Sequence, residues 1–496
     1  MPEVTTDNEA APHLPPPSGV GRRTMVALAW NFGASPVHMA VALARSVLLL
    51  RLLPVAVFGT FAYATSIVFV SSLLAGFGMG YALLNRVPET RDERRAADVF
   101  FTLKLAATAV WAAILIAVAT MFTEGDLRTL LLGLTLTQSG HVLVDMPRLI
   151  LTRRVVHRRL VAVDTVAVVT GSAVAVTLAL RGETVWALLG SEIAVLAVTA
   201  GMLLLWRPVW RPRLTWDPDV ARYYLRFARA SLPISLLMRG IENADNLWTG
   251  SVLGDYALGI YSRAYRFAAY PRSLIALPTS KVVRGTFSEL KHEPQRLSQA
   301  FAAVHGALVR SGTLLAGLLV LTAPEFVLLV GGARWLPMVV PFQLLVVFAL
   351  LDPIRLTLTD LLLGIGEQRR VLISYALQLL VLLAALALLG PALGVPGVAL
   401  AVNIMAAFAT MSLLLQTRAF VRFSLRALWL APSLALLAGL CIAALAMRLP
   451  PADASAWLTG ALKAAAFGGA YAAVLAGLER HYVVAAWARL RGVLGR

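Results

Sequence analysis

Apolar runs of about 20 residues, separated by short charged breaks, recur along the whole chain. A run of this length suits an α-helix that crosses about 30 Å of hydrocarbon, whereas strands of a membrane barrel would be about 10 residues long with alternating character. The pattern predicts an all-α polytopic membrane protein with about 14 transmembrane helices. We place these helices at about 25–50, 57–84, 98–121, 129–151, 160–180, 184–206, 228–253, 256–280, 299–322, 337–363, 371–390, 394–416, 427–447 and 456–478.

The composition agrees with a membrane-embedded chain. Of 496 residues, 59% are hydrophobic and 14% are charged, and the mean hydropathy is +0.77, which excludes a soluble protein with a solvated surface. The net charge of +18 would indicate a nucleic-acid partner in a soluble domain. Here the basic residues are scattered over short loops, so we expect them to set membrane topology and expect no nucleic-acid partner.

The distribution of Arg and Lys between loops predicts the orientation. With the amino terminus in the cytoplasm, about 28 of these residues fall on the inner side and about 5 in outer loops, so both termini are expected in the cytoplasm. The outer residues are Arg51, Arg128, Arg181, Arg334 and Arg448. No predicted outer loop exceeds about 15 residues, which leaves no outer domain for catalytic groups, and we expect the protein not to be an enzyme.

The longest inner connection, 207–226, is rich in Pro and charge and divides the chain. The predicted parts are a disordered cytoplasmic tail (1–21), two six-helix lobes (22–215 and 216–420), two additional helices (421–478) and an interfacial amphipathic tail (479–496).

An internal repeat at an offset of 200 residues supports the two lobes. It aligns Leu53 with Leu253, Phe58 with Leu258, Gly59 with Gly259, Phe61 with Tyr261 and Ala64 with Ala264. Chance similarity between two apolar hairpins is the alternative. Two like-oriented halves are an arrangement that transporters use to build a site at their interface.

One stretch, 238–272, carries a dense set of ionisable groups within otherwise apolar helices 7 and 8. The set is Arg239, Glu242, Asp245, Asp255, Arg263, Arg266 and Arg272. Ionised groups at bilayer depth are costly unless they are paired or face water, so this density indicates an ion or substrate pathway. If the two helices pack antiparallel, residues equidistant from the turn lie at equal depth. Two neutralising pairs are then predicted: Asp245 with Arg263, and Glu242 with Arg266.

Arg239 and Arg272 are left without an acid at their depth, and we hypothesise that they attract an anionic group from the cytoplasm. A guanidinium presents a planar fork of donors that suits phosphate or diphosphate. Arg310 in helix 9, about 16 Å from its inner end, would extend this patch. The substrate-binding candidates are Arg239, Arg263, Arg266, Arg272 and Arg310. The coupling or ion-pair candidates are Glu242, Asp245, Arg45, Asp352 and Arg355. The alternative is that all these charges form interhelical pairs only.

The remaining intramembrane polar residues carry weaker signals. His141 and Asp145 lie four residues apart on helix 4, but a metal site needs further ligands, so we expect neither a metal nor a cofactor. Lys104, Asp164 and Glu192 are expected to pair within the amino-terminal half. The sequence has no Gly-rich loop of the GxxxxGK type. Any uphill work would therefore draw on an ion gradient or the membrane potential.

The stretch 243–271, NADNLWTGSVLGDYALGIYSRAYRFAAYP, resembles the helix 7 to helix 8 signature of the polysaccharide transporter family of lipid-linked oligosaccharide flippases, within the multidrug, oligosaccharidyl-lipid and polysaccharide exporter superfamily. The stretch 44–86 is similar to the first hairpin of that family. The sequence departs at 53–59, LPVAVFG, where relatives have Gly-Pro and acidic residues before Phe-Gly. The first hairpin therefore lacks acids at that turn, whereas Asp255 keeps one in the second half.

The resemblance implies a bacterial inner-membrane flippase that moves an undecaprenyl diphosphate-linked sugar repeat unit to the outer leaflet. The product would be a surface polysaccharide such as O-antigen or exopolysaccharide, with a polysaccharide polymerase and a chain-length regulator as partners. Alternating access around a cationic central cavity is the implied mechanism. Three alternatives remain open: a multidrug or cation antiporter of the same superfamily, a membrane polysaccharide polymerase or ligase, and a peptidoglycan-precursor flippase.

Overall fold

The computed structural model describes residues 37–76, 93–153, 157–206, 208–270, 272, 277–447 and 455–480. Within these ranges the secondary structure is helical, and no strand is formed. The predicted amino-terminal tail and residues 481–496 of the predicted amphipathic tail lie outside the described residues.

Fifteen helices, α1 to α15, organise the described part of the chain. The first seven are α1 (37–52), α2 (Val55–Ser71, continued by the short helix Leu73–Gly76), α3 (Glu93–Phe122), α4 (Gly125–Arg153), α5 (His157–Leu180), α6 (Val185–Ala200, continued by the π-helix Gly201–Leu205) and α7 (Pro218–Val252). The others are α8 (Gly254–Ala268), α9 (Leu277–Glu289), α10 (Pro294–Gly331), α11 (Val339–Gly364, preceded by the 3-10 helix Ala333–Met338), α12 (Gln368–Leu393), α13 (Val395–Thr417), α14 (Leu425–Ala446) and α15 (Ala456–Leu478).

Each predicted membrane span overlaps a described helix, and the predicted eighth span corresponds to two helices, α8 and α9. Ten helices among the described residues are long and apolar enough to cross a bilayer. Those that fall short include α4, α7 and α8, which carry many of the polar groups of the candidate site. The chain is therefore an all-helical, multi-pass membrane protein.

Local sequence explains where several helices begin. The carboxylate of Asp217 accepts hydrogen bonds from the backbone N–H groups of Asp219 (3.0 Å) and Val220 (3.3 Å) and so caps α7, which starts with Pro218. Ser424 and Ser455 cap α14 and α15 in the same way. Caps of this kind satisfy backbone donors that a helix leaves free at its start.

Helix α2 crosses α8 at two glycines that the repeat aligns. A Cβ placed on Gly59 would lie 1.8 Å from the carbonyl oxygen of Asp255, and one placed on Gly259 would lie 2.2 Å from that of Val55. Asp255 and Val55 are themselves separated by the same 200 residues, so the contact is reciprocal. Such an approach of two backbones requires glycine on both sides.

The helix turns beside this crossing are held to the carboxy-terminal half. Arg51 donates to the carbonyl oxygen of Leu329 (2.6 Å), and the indole N–H of Trp335 donates to that of Leu50 (3.0 Å). Thr60 donates to the carboxylate of Asp255 at 2.8 Å. These contacts join the turn between α1 and α2 to the carboxy-terminal half of the chain.

The two last helices pack against α10 through polar and apolar contacts. Arg310 on α10 forms an ion pair with Glu479 (2.5 Å), and Lys463 on α15 forms one with Glu325 (2.5 Å). The ring of Phe467 fills the space beside Gly317. Arg310 thus lies against the carboxy-terminal end of α15. The prediction that it extends the anion-binding patch of Arg239 and Arg272 was therefore wrong.

Candidate functional site

The candidate site is built around α7 and α8, whose charged residues fall into three groups. The first is an arginine cluster formed by Arg45 on α1 and by Arg263 and Arg266 on α8, which interact electrostatically with one another. The acid that interacts with Arg45 is Glu192 on α6. Among the described residues, the three guanidinium groups therefore outnumber the carboxylates that interact with them, and the cluster is cationic.

Arg263 is held by an aromatic ring. Its guanidinium carbon lies 4.8 Å from the centroid of the Phe58 ring on α2, and the residue is 9% exposed. Its Nε has no hydrogen-bond acceptor among the described residues, while Arg266 is exposed. A buried guanidinium with an unused donor can bind an anion without first breaking an ion pair.

The second group is a charge network of Glu242 on α7, Arg272, and Asp352 and Arg355 on α11. Arg272 lies 3.1 Å from a carboxylate oxygen of Glu242 and 3.3 Å from one of Asp352. Arg355 donates from Nε to the other oxygen of Asp352 at 3.1 Å and from Nη1 to Gln378 at 3.2 Å. The network ties the residues after α8 to α7, α11 and α12.

Asp245 stands beside this network but pairs differently. It is 3% exposed, and its carboxylate accepts a hydrogen bond from the Tyr261 hydroxyl. No Arg or Lys lies within ion-pair distance of it among the residues that the structure places. The predicted pairs of Asp245 with Arg263 and of Glu242 with Arg266 were therefore wrong, as was the expectation that Arg272 lacks an acid.

The third group lines a polar cavity of about 150 Å³, which is formed by α2, α3 and α4 together with Arg239 on α7. Its charged lining is Lys104 on α3, Asp145 on α4 and Arg239 on α7, and Lys104 pairs with Asp145. Arg239 donates to the carbonyl oxygen of Phe69 (2.6 Å) and to the hydroxyl of Ser72 (3.2 Å). Two cations and one carboxylate among the described lining residues give the cavity a net positive charge.

Two residues connect the polar cavity with the arginine cluster. His141 interacts electrostatically with Lys104 and Asp145 of the cavity and with Glu192, which in turn interacts with Arg45. The sequence predicted that Lys104, Asp164 and Glu192 pair within the amino-terminal half, and Lys104 does pair with Asp145 and Asp164 with Arg148.

Comparisons with known proteins agree with this architecture. A model of the family described as Polysaccharide biosynthesis protein matches residues 48–340, more than half of the 496 residues. Similar proteins include the succinoglycan biosynthesis transport protein ExoT of Rhizobium meliloti, 25% identical over 294 residues, which are 58% of each chain. The teichuronic acid biosynthesis protein TuaB of Bacillus subtilis is 28% identical over 161 residues, 32% of this chain and 33% of its own. The chain thus spans less than two thirds of the length of these relatives.

Two solved structures share the fold. The lipid II flippase MurJ in an inward closed conformation has a TM-score of 0.72 at 13% identity, over 92% of this chain and 100% of that one. An inward-facing multidrug resistance MATE transporter has a TM-score of 0.61 at 16% identity, over 79% and 97%. At these identities the likeness establishes that the chain shares the all-helical fold of these two structures.

Proposed function

Since this chain belongs to the Polysaccharide biosynthesis protein family, we propose that it is a flippase for a polyprenyl diphosphate-linked oligosaccharide. It moves this repeat unit from the cytoplasmic to the outer leaflet of the bacterial inner membrane, where the unit is assembled into surface polysaccharide. Both termini lie in the cytoplasm in this proposal, as the loop charges predict.

The arginine cluster is the observation that carries the proposal. A diphosphate needs several donors at once, and guanidinium groups stay charged and donate in pairs to phosphate oxygens. Arg263 and Arg266 lie three residues apart on α8, and Arg45 on α1 interacts electrostatically with both. Arg239 adds a further cation in the polar cavity. An anionic headgroup fits these surroundings better than a cationic drug.

Closure at the predicted outer end supports alternating access. The reciprocal contact of Gly59 and Gly259 seals α2 against α8 at one end, while the cavity with Arg239 lies between α2, α3, α4 and α7. A headgroup that enters from the cytoplasm would be released outside only after this seal opens.

Replacing the arginines tests the anion site. We expect Arg263→Gln and Arg266→Gln each to lower export at least about tenfold, since a hydrogen bond to a charged group contributes about 1.5–3 kcal/mol. Surface polysaccharide would fall, and the lipid-linked unit would accumulate on the cytoplasmic side. Arg222→Gln, on an exposed face of α7, is the control and should leave export unchanged. Normal export in both α8 variants would remove the assignment.

Asp245 is the proposed coupling group, because Glu242 and Asp352 are bound to arginines whereas Asp245 accepts its hydrogen bonds from the Tyr261 hydroxyl and the backbone N–H of Asn246. In inverted vesicles, export by the unmodified protein should follow an imposed pH gradient, and Asp245→Asn should remove that dependence. Asp219→Asn, at an exposed position of α7, is the control. Export that ignores the gradient before any substitution would contradict proton coupling.

A further inference from the structure

An apolar cleft of about 460 Å³ opens between α2 and α3, within the size range of ligand sites. Its floor is formed by Trp111 and Leu115, which are 4% and 7% exposed. Its rim is formed by Leu74, Val110 and Ile114, each about three-fifths exposed. In a membrane this rim faces hydrocarbon, so an apolar chain can enter from the side.

The cleft has almost no polar lining. Its polar side chain outside the Trp111 indole is Ser71, whose hydroxyl accepts a hydrogen bond from the Trp111 Nε1–H at 3.1 Å. Because these two polar groups are hydrogen-bonded to each other, the surface that remains for a ligand is apolar. A ligand in the cleft is therefore held by burial of hydrocarbon, not by hydrogen bonds.

The cleft and the polar cavity meet at Trp111, which lines both. On α2, Ser71 and Leu74 face the cleft while their neighbours Ser72 and Ala75 face the cavity. The lining thus changes from hydrocarbon in the cleft to a cationic cavity across the side chain of Trp111. An amphiphile with a single apolar chain and an anionic head matches this pair of compartments.

We propose that the cleft between α2 and α3 binds the polyprenyl chain of the substrate while its diphosphate enters through the polar cavity beside Arg239, before it reaches the arginine cluster. This inference rests on the proposed function and adds the path of the lipid tail. It commits to the polyprenyl chain, because family membership indicates a glycan substrate and the cavity supplies the charge for its phosphates. An acyl chain of an ordinary membrane lipid is the competing occupant.

Photocrosslinking in nanodiscs tests the proposal with a polyprenyl diphosphate that carries a diazirine in its chain. The label is expected on α3 residues that line the cleft. Ala106→Trp fills the cleft and should lower labelling about tenfold or more, since excluding about two methylene groups costs that much affinity. Ala109→Trp is the control, because Ala109 is also exposed on α3 but lies outside the cleft. Val110→Trp, at the exposed rim, should repeat the effect of Ala106→Trp.

The outcomes separate this inference from the proposed function. Equal labelling in Ala106→Trp and Ala109→Trp, or equal labelling by a diazirine phospholipid, overturns the cleft assignment. Inorganic diphosphate should compete with the labelled lipid for the protein. Weaker competition in Arg239→Gln, with unchanged competition in Ala106→Trp, supports separate sites for the head and the tail. If neither polyprenyl nor inorganic diphosphate binds the unmodified protein, the proposed function fails, and this inference fails with it.

Discussion

Gly259→Val is expected to abolish export. Its Cβ alone would lie 2.2 Å from the carbonyl oxygen of Val55, and a backbone atom cannot move aside as a flexible side chain does. Overpacking of this kind costs about 1–3 kcal/mol or more, so α2 and α8 would separate at their crossing. The closed arrangement would then be rare, and the conformational cycle would stall. Gly59→Ala should act in the same way, because its Cβ would lie 1.8 Å from the carbonyl oxygen of Asp255.

Thiol labelling measures the separation directly. The chain has one cysteine, Cys441, so Thr60→Cys in a Cys441→Ala background reports on the crossing alone. An impermeant reagent added outside should label it faster when Gly259 is valine. Gly468→Val is the control, since nothing lies within 4 Å of a Cβ added there. Normal export by a stably folded Gly259→Val variant would show that the crossing need not close.

Asp352→Asn is expected to cause a large loss of stability together with loss of export. Asp352 is fully buried between Arg272 and Arg355, and removing one partner of a buried pair costs about 3–5 kcal/mol. Replacing Arg355 by glutamine as well should restore part of the stability, because the second unpaired charge is then also removed. Thermal unfolding in detergent, with export measured in parallel, checks both effects.

An exposed pair supplies the comparison for this experiment. Asp219 and Arg222 are also three residues apart on one helix, at 3.2 Å, but their side chains are 87% and 69% exposed. Exposed pairs of this kind are held weakly, so Asp219→Asn should leave the melting temperature and export unchanged. Equal effects at Asp352 and Asp219 would show that burial of the network does not matter.

The helices and the dense set of charged residues in 238–272 were predictable, because both depend on local sequence patterns. Apolar runs of about 20 residues are typical of membrane-spanning helices, and each predicted span overlaps a described helix. The repeat aligns Gly59 with Gly259, and these two glycines form one reciprocal contact in the structure. Length and periodicity fix these features without knowledge of which helices are neighbours.

The pairing of charges was not predictable from depth. Equal depth would pair Asp245 with Arg263 only if α7 and α8 packed face to face, but α8 packs more extensively against α2. Arg263 therefore lies on the ring of Phe58, and Asp245 meets Tyr261 instead. Arg310 shows the same limit, since its depth does not reveal that Glu479, directly after α15, is its ion-pair partner. Rotation of a helix about its axis is set by tertiary packing that a single sequence does not reveal.

The crossing of α2 and α8 also has a mechanical consequence. The two backbones touch at Gly59 and Gly259, and the Arg263 guanidinium packs on Phe58 beside them, so moving one backbone away exposes both glycines at once. The contact is therefore either made or broken, with little room for a partly loosened form. We expect the two glycines to act as a two-state latch, so that a substitution there changes the balance between closed and open forms and leaves the intrinsic affinity for the headgroup unchanged.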